Sequence, residues 1–205
     1  KDIRPIAEGI VKKYRKEIED YIERRPEFMT SLEPISMDPA ATDIIKEMIS
    51  AAELAGVGPM ASVAGAVAEF SGNELLAYSR QIIIENGGDI FIKSDKLRTV
   101  AIYAGDSPLS NKIFIKIKPE DTPLGVCTSS GTVGHSLSFG KADACVIIAK
   151  YAPLADAVAT ATCNRIKEKD DIAPSLEFAL SIKGVKAAVV ILGKDFGSIG
   201  DIELT

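Results

Sequence analysis

The hydrophobic period of this chain changes once, near residue 80, and that switch limits the folds open to it. Over residues 5–24 apolar side chains recur every four positions, at Ile6, Ile10, Tyr14, Ile18 and Ile22, with Lys, Arg and Glu between them. That spacing predicts an amphipathic helix, which Pro26 ends. Residues 27–37 read as a connector. A second helix is expected to start with Asp38 as its N-cap and Pro39 at its first position. It carries Ile44, Ile45, Met48, Ile49 and Ala52 and stops at Gly56. After the break Gly56-Val57-Gly58-Pro59, a third helix is expected over residues 59–79. Its run of small residues, from Ala61 to Ala68, lets the backbone lie close to a sheet, another helix or a ligand. Close packing on a sheet is the plain use of such a surface.

From Gln81 the period is two. Residues 81–85 and 89–93 read as strands around Asn86-Gly87-Gly88, a hairpin signal. Residues 98–104 and 112–118 are two more. In the latter, Ile113, Ile115 and Ile117 share one face and mostly Lys the other, which suggests a sheet with one solvated face. Residues 124–128 are extended and run into a Gly/Ser-rich loop. Residues 143–149 and 185–192 are apolar strands, and residues 153–165 and 174–181 are helices. Helices first and strands later favour an α+β fold. The expectation is a mixed, largely antiparallel sheet with helices packed on one face. The 205 residues suit a single domain, with a helical part over 1–80 and a mainly sheet-forming part over 81–205.

Charge and composition remove several functions. Lys plus Arg number 24 and Asp plus Glu 29, a net charge of −5, unsuited to a nucleic-acid backbone or an anionic membrane surface. Residues 54–68 form the longest uncharged apolar stretch. It is rich in Gly and shorter than the roughly 20 residues that a membrane span needs. No signal peptide is read at the start. The three cysteines, Cys127, Cys145 and Cys163, form no C-x-x-C pair, which points to a reducing cytoplasm. They and the one histidine, His135, lack the ligand spacing of structural zinc.

Three constellations remain. In Asn86-Gly87-Gly88-Asp89, two adjacent glycines allow backbone N–H groups to approach a ligand; the same residues also make a tight turn. The uncharged, hydroxyl-rich stretch from Gly125 to His135 holds Cys127, Thr128, Ser129, Ser130 and Gly131. Its amides suit a phosphate or pyrophosphate, and it equally suits a surface loop. It is not a Walker loop, since no Gly-Lys-Ser/Thr follows. In Asp156-Ala157-Val158-Ala159-Thr160 the carboxylate and hydroxyl fall on one helical face. Together they suit Mg2+, with phosphates completing its shell; the alternative is an acid near the positive helix end beside a packed Thr.

The order of these motifs resembles the ApbE-like superfamily, whose best-known members are FAD:protein FMN transferases. Those enzymes carry a Gly-Gly-Asp hairpin, a Thr-Ser-Gly strand end and a late Asp-Ala-x-x-Thr helix. The phrases GVGPMASVAGAVAE, ENGGDI and GVCTSSGTVGHSLSFGKADA look closest to a branch found in methanogenic archaea and sulfate-reducing bacteria. The resemblance implies a T-fold-like α+β architecture and Mg2+ at Asp156 and Thr160. It also implies FAD or FMN contacts around Asn86–Asp89 and Thr128–Gly131. The His-Ile-x-Asp-Pro segment of the transferases is shortened here, leaving His135 as the histidine nearby and, with Cys127, a candidate catalytic residue.

The resemblance also implies a link to sulfur assimilation and homocysteine formation, with sulfur-assimilation proteins as partners. In that reading Cys127, with a lowered pKa in its loop, carries a persulfide. The plain alternative is a half-buried small hydrophobe. Cys145 is expected in the core and Cys163 in helix packing. A non-catalytic binding subunit is a further reading, and the small-residue helix and one-sided sheet suggest a homo-oligomer.

Overall fold

A computed structural model describes residues 2–133 and 138–205. Helix α1 spans Arg4–Arg24. A short helix α2, Glu27–Thr30, lies within the expected connector because Phe28 turns inward. Phe28 is fully buried edge-on against Tyr21, with ring centroids 5.0 Å apart. Helix α3, Asp43–Ala55, starts later than expected, after Thr42. Asp38 does not cap it. The Asp38 carboxylate accepts the Ala40 N–H at 2.9 Å and the Tyr21 hydroxyl at 3.2 Å, and is committed to that turn. Gly56 ends α3 with a φ of 70°, a left-handed conformation open to glycine.

The small-residue segment divides into a 3-10 turn, Pro59–Ser62, and helix α4, Val63–Leu75. Strands β1 (Ile82–Asn86) and β2 (Asp89–Lys93) form the hairpin. Strands β3 (Arg98–Ala101) and β4 (Phe114–Ile117) follow, then β5 (Leu124–Ser129) and β6 (Ala144–Ala149). Helices α5 (Ala152–Arg165) and α6 (Ile172–Ser181) precede β7 (Val185–Leu192). Two strands were not anticipated, β8 (Asp195–Gly200) and β9 (Glu203–Leu204).

The main sheet has the order β1-β2-β5-β6-β7-β8, and a smaller one has β3-β4-β9. The pairings within both sheets are antiparallel. Side chains alternate between two cores. Phe91, Cys127, Cys145, Ile147 and Val190 face the helices. Ile92, Val126, Val146, Ile148 and Val189 face Ile115 and Ile117 of the small sheet. The result is three layers, with helices on one face of the main sheet as expected. The other face of its central strands is covered rather than solvated, so all six residues of β6 are buried. A third cluster, around Phe28, Ile44 and Met48, joins α1, α2 and α3. Among the described residues no single helix is long and apolar enough to cross a membrane.

The small residues of α4 serve close packing. A Cβ on Gly72 would lie 2.3 Å from Cδ1 of the buried Phe91 ring. Gly72→Ala is therefore expected to destabilise the protein by about 1–3 kcal/mol through overpacking. Gly9→Ala, in open space on α1, should stabilise it by about 0.5–1 kcal/mol. Thermal denaturation of the two variants beside the parent checks both signs.

Candidate functional site

Helix α5 is apolar around nearly its whole circumference, as a helix buried between a sheet and other helices must be. Three of its polar residues, Asp156, Thr160 and Asn164, stand four residues apart and make a polar line along one face. That line borders a cavity of about 310 Å³. Asp156 and Thr160 also border a second cavity, of about 400 Å³. Asp89, the first residue of β2, lines both. The two cavities therefore meet at Asp89, Asp156 and Thr160.

The second cavity has a hairpin and a strand end for walls. Gly87 and Gly88 take positive φ, 66° and 108°, and carry β1 into β2. Gly87, Gly88, Thr128, Ser129 and Ser130 line this cavity, beside an exposed Tyr103. The first cavity is more apolar. Met29, Leu32, Met60 and Phe139 line it, and Met29, Leu32 and Phe139 are more than half exposed.

Other candidate residues support these walls. The Asn86 amide donates to the Ala64 carbonyl at 3.3 Å, tying the hairpin to α4. The Gly131 N–H donates to Ala142 O at 2.8 Å. The Ser130 hydroxyl accepts from the N–H groups of Thr132 and Val133, at 3.1 and 2.9 Å. These bonds fix the turn over residues 130–133. His135 lies outside the described residues.

Cys127 departs from expectation. Its side chain is fully buried on the helix side of β5, and its thiol donates to the Ala152 carbonyl at 3.4 Å. Burial pushes the thiol pKa up, and the charges of Asp89 and Asp156 push the same way. The expected lowered pKa is thus overturned, and with it the motive for an activated, persulfide-carrying thiol. Cys145 is core, as expected, and Cys163 is buried with its sulfur 3.3 Å from the Ser138 hydroxyl. A thiol reagent should find no reactive cysteine in the native protein and three after denaturation. Mass spectrometry before and after unfolding reads both numbers.

Both carboxylates at the junction are pushed above their ordinary pKa. The Asp89 carboxylate accepts the Thr128 N–H at 3.2 Å, yet burial raises its pKa to about 6. The Asp156 carboxylate accepts the Gly65 N–H at 2.9 Å. Burial, with Asp89 nearby, holds Asp156 well above the usual carboxylate range. Among the described residues no Lys or Arg pairs with either, and no hydrogen bond commits the Thr160 hydroxyl. Two carboxylates and a hydroxyl, without a countercharge, fit a hard divalent cation that takes oxygen ligands and keeps sites for phosphate and water. Among the described residues no three His, Cys, Asp or Glu side chains gather around one point, so a cation here would have two carboxylates and a hydroxyl and would take its remaining ligands from phosphate and water.

The first cavity was not legible from local motifs. Its walls come from residues as distant in the chain as Met29 and Asn164, and residues 27–37 read only as a connector.

The fold is that of the ApbE-like class. The chain is similar in structure to the ApbE protein of Thermotoga maritima, with a TM-score of 0.52 and 17% identity. That similarity covers 69% of this chain and 50% of the other, so the chain spans about half the length of the solved structure it matches. The chain is 46% identical over 202 residues to a UPF0280 protein of Methanococcus aeolicus, covering 96% of this chain and 82% of that protein. It is 43% identical over 201 residues to a UPF0280 protein of Methanocaldococcus jannaschii, with the same coverage. The family model described as AbpE bacteria matches residues 1–197, and the chain belongs to that family.

The raised carboxylates set a pH dependence. Asp89 rises from 3.8 to about 6, so between those values the folded protein holds a proton that the unfolded chain has released. Stability therefore falls as pH rises through that window. Without divalent cation, Asp89→Asn should be more stable than the parent at pH 7.5, by on the order of 1–3 kcal/mol, and no more stable at pH 4. Urea unfolding at the two pH values measures the difference.

Proposed function

We propose that this chain binds FAD across its two cavities and uses Mg2+ to transfer a phosphoryl-linked group from it. The observation that carries this reading is the meeting of two cavities at an uncompensated carboxylate pair. A dinucleotide has the matching shape, with a flat ring at each end and a pyrophosphate in the middle. Gly87, Gly88, Thr128 and Ser129 would bind one half through hydroxyls and backbone, and Met29, Leu32, Met60 and Phe139 would enclose the other. The hydroxyl and glycine motifs shared with FAD:protein FMN transferases support the choice of a flavin.

Asp156 and Thr160 would hold the cation, with Asp89 facing them. The cation would neutralise pyrophosphate charge and polarise the bond to be broken. Asp156 is fixed by the Gly65 N–H and Asp89 by the Thr128 N–H, so their oxygens are oriented before any ligand arrives. In the transfer, the acceptor hydroxyl oxygen would form a new P–O bond to the FMN phosphorus, the pyrophosphate P–O bond would break, and AMP would leave with the hydroxyl's proton on its phosphate.

Incubation with FAD, Mg2+ and a Ser/Thr-containing acceptor peptide should release AMP. Asp156→Asn and Thr160→Val should each lower the rate about tenfold or more. Flavin fluorescence quenching without AMP release would reduce the protein to a binding subunit. Neither quenching nor AMP would overturn the flavin reading.

A further inference from the structure

Helices α4 and α5 are joined by two hydrogen bonds arranged as mirrored rungs. The Gly65 N–H on α4 donates to Oδ2 of Asp156 on α5. Four residues further along α4, the Glu69 carboxylate accepts the N–H of Ala152, four residues before Asp156 on α5. Each helix thus advances one turn between rungs, in opposite directions. The seam is tight, since a Cβ on Gly65 would lie 2.4 Å from Ala152 O and 3.0 Å from the Asp156 Cβ.

Ala152 opens α5, so its N–H is among those that no residue within the helix can accept. Ala152 is fully buried, and a buried donor without an acceptor is costly. Among the described residues Glu69 forms no ion pair. Its carboxylate is spent on the start of the helix whose next turns present Asp156 and Thr160.

We propose that Glu69 is a positioning residue for the cation site: its bond to Ala152 sets where α5 sits along α4, and so where the oxygens of Asp156 and Thr160 stand. This rests on the reading that those two residues hold a cation. The chemistry of the rung identifies what matters in Glu69. Burial, aided by the neighbouring Glu47 of α3, pushes its pKa up to about 7 against the pull of the Ala152 N–H. The other acid of α4, Glu74, is engaged by Lys13 and Tyr14 of α1. A carboxyl that readily takes up a proton acts here through an acceptor oxygen rather than through its charge. An amide of the same length should therefore replace it.

The test is calorimetric titration of the full chain with Mg2+ and with Mn2+, with the far-UV circular dichroism of each variant recorded beside it. Glu69→Ala should weaken cation binding about tenfold with the helical signal retained, and Glu69→Gln should restore the affinity to within about twofold. If Glu69→Ala loses helical signal, Glu69→Asp replaces it. That variant keeps the charge but falls short of the N–H, and it should bind as weakly as the alanine variant is expected to. Parent-like affinity in Glu69→Ala or Glu69→Asp, or affinity in Glu69→Gln as weak as theirs, would overturn the positioning role. A parent chain that binds neither cation would instead overturn the site reading on which the role rests.

Discussion

The start of helix α5 has no room for a side chain on either element it meets. A Cβ on Gly125 of β5 would come within 2.4 Å of the Ala152 Cα, and one on Gly65 of α4 within 2.4 Å of the Ala152 carbonyl. Much of the architecture follows from that contact. It demands glycine on two separate elements. It favours the alanines that fill α5, since a thicker helix would lift off the sheet. It also draws β2, β5 and α4 around one end of the helix. Asp89, Thr128 and Gly65 can then reach a common point although they are far apart in sequence.

What is gathered there is electrostatically expensive. Burying a carboxylate without compensation costs several kcal/mol, and here two are brought together. The fold supplies each with a backbone N–H, from Thr128 to Asp89 and from Gly65 to Asp156. Those donors offset only part of the cost, since both pKa values remain raised. Structural ion pairs elsewhere in the chain are arranged differently. Lys13 meets Glu74, Lys116 meets Glu203, and these acids are held below their ordinary values. The contrast separates buried acids that lack a countercharge from surface acids that are paired with one.

Local physics was legible in the sequence where local rules decide the outcome. The period switch near residue 80, the Asn86-Gly87-Gly88 hairpin, the stop at Gly56 and the proline at the start of α5 each rest on residues close in the chain. The misreadings arose where distant residues compete. Asp38 looked like a cap until Tyr21 and Ala40 took its carboxylate. Cys127 looked activated because a hydroxyl-rich loop follows it. Strand alternation instead turns it into the helix-side core, beside two acids that disfavour a thiolate. Strand β8 escaped notice because Gly197 and Gly200 interrupt its apolar alternation. Three of the junction's residues, Asp89, Asp156 and Thr160, were visible as motifs. Their convergence was not, and neither was Glu69, which looks like any acid on a helix until its partner across the seam is known.

The chain's acidity bears on how such a site would fill. The net charge of −5 and the two junction carboxylates both repel a phosphorylated ligand. No Lys or Arg lines either cavity among the described residues. An anion approaching the empty site would meet like charge held in a poorly screened environment. A divalent cation would meet the reverse. On the proposed reading, cation binding therefore comes first: it discharges the acid pair and converts the junction into an anion site. Proton and cation compete for the same oxygens, so the raised pKa values imply that cation affinity weakens as pH falls toward 6.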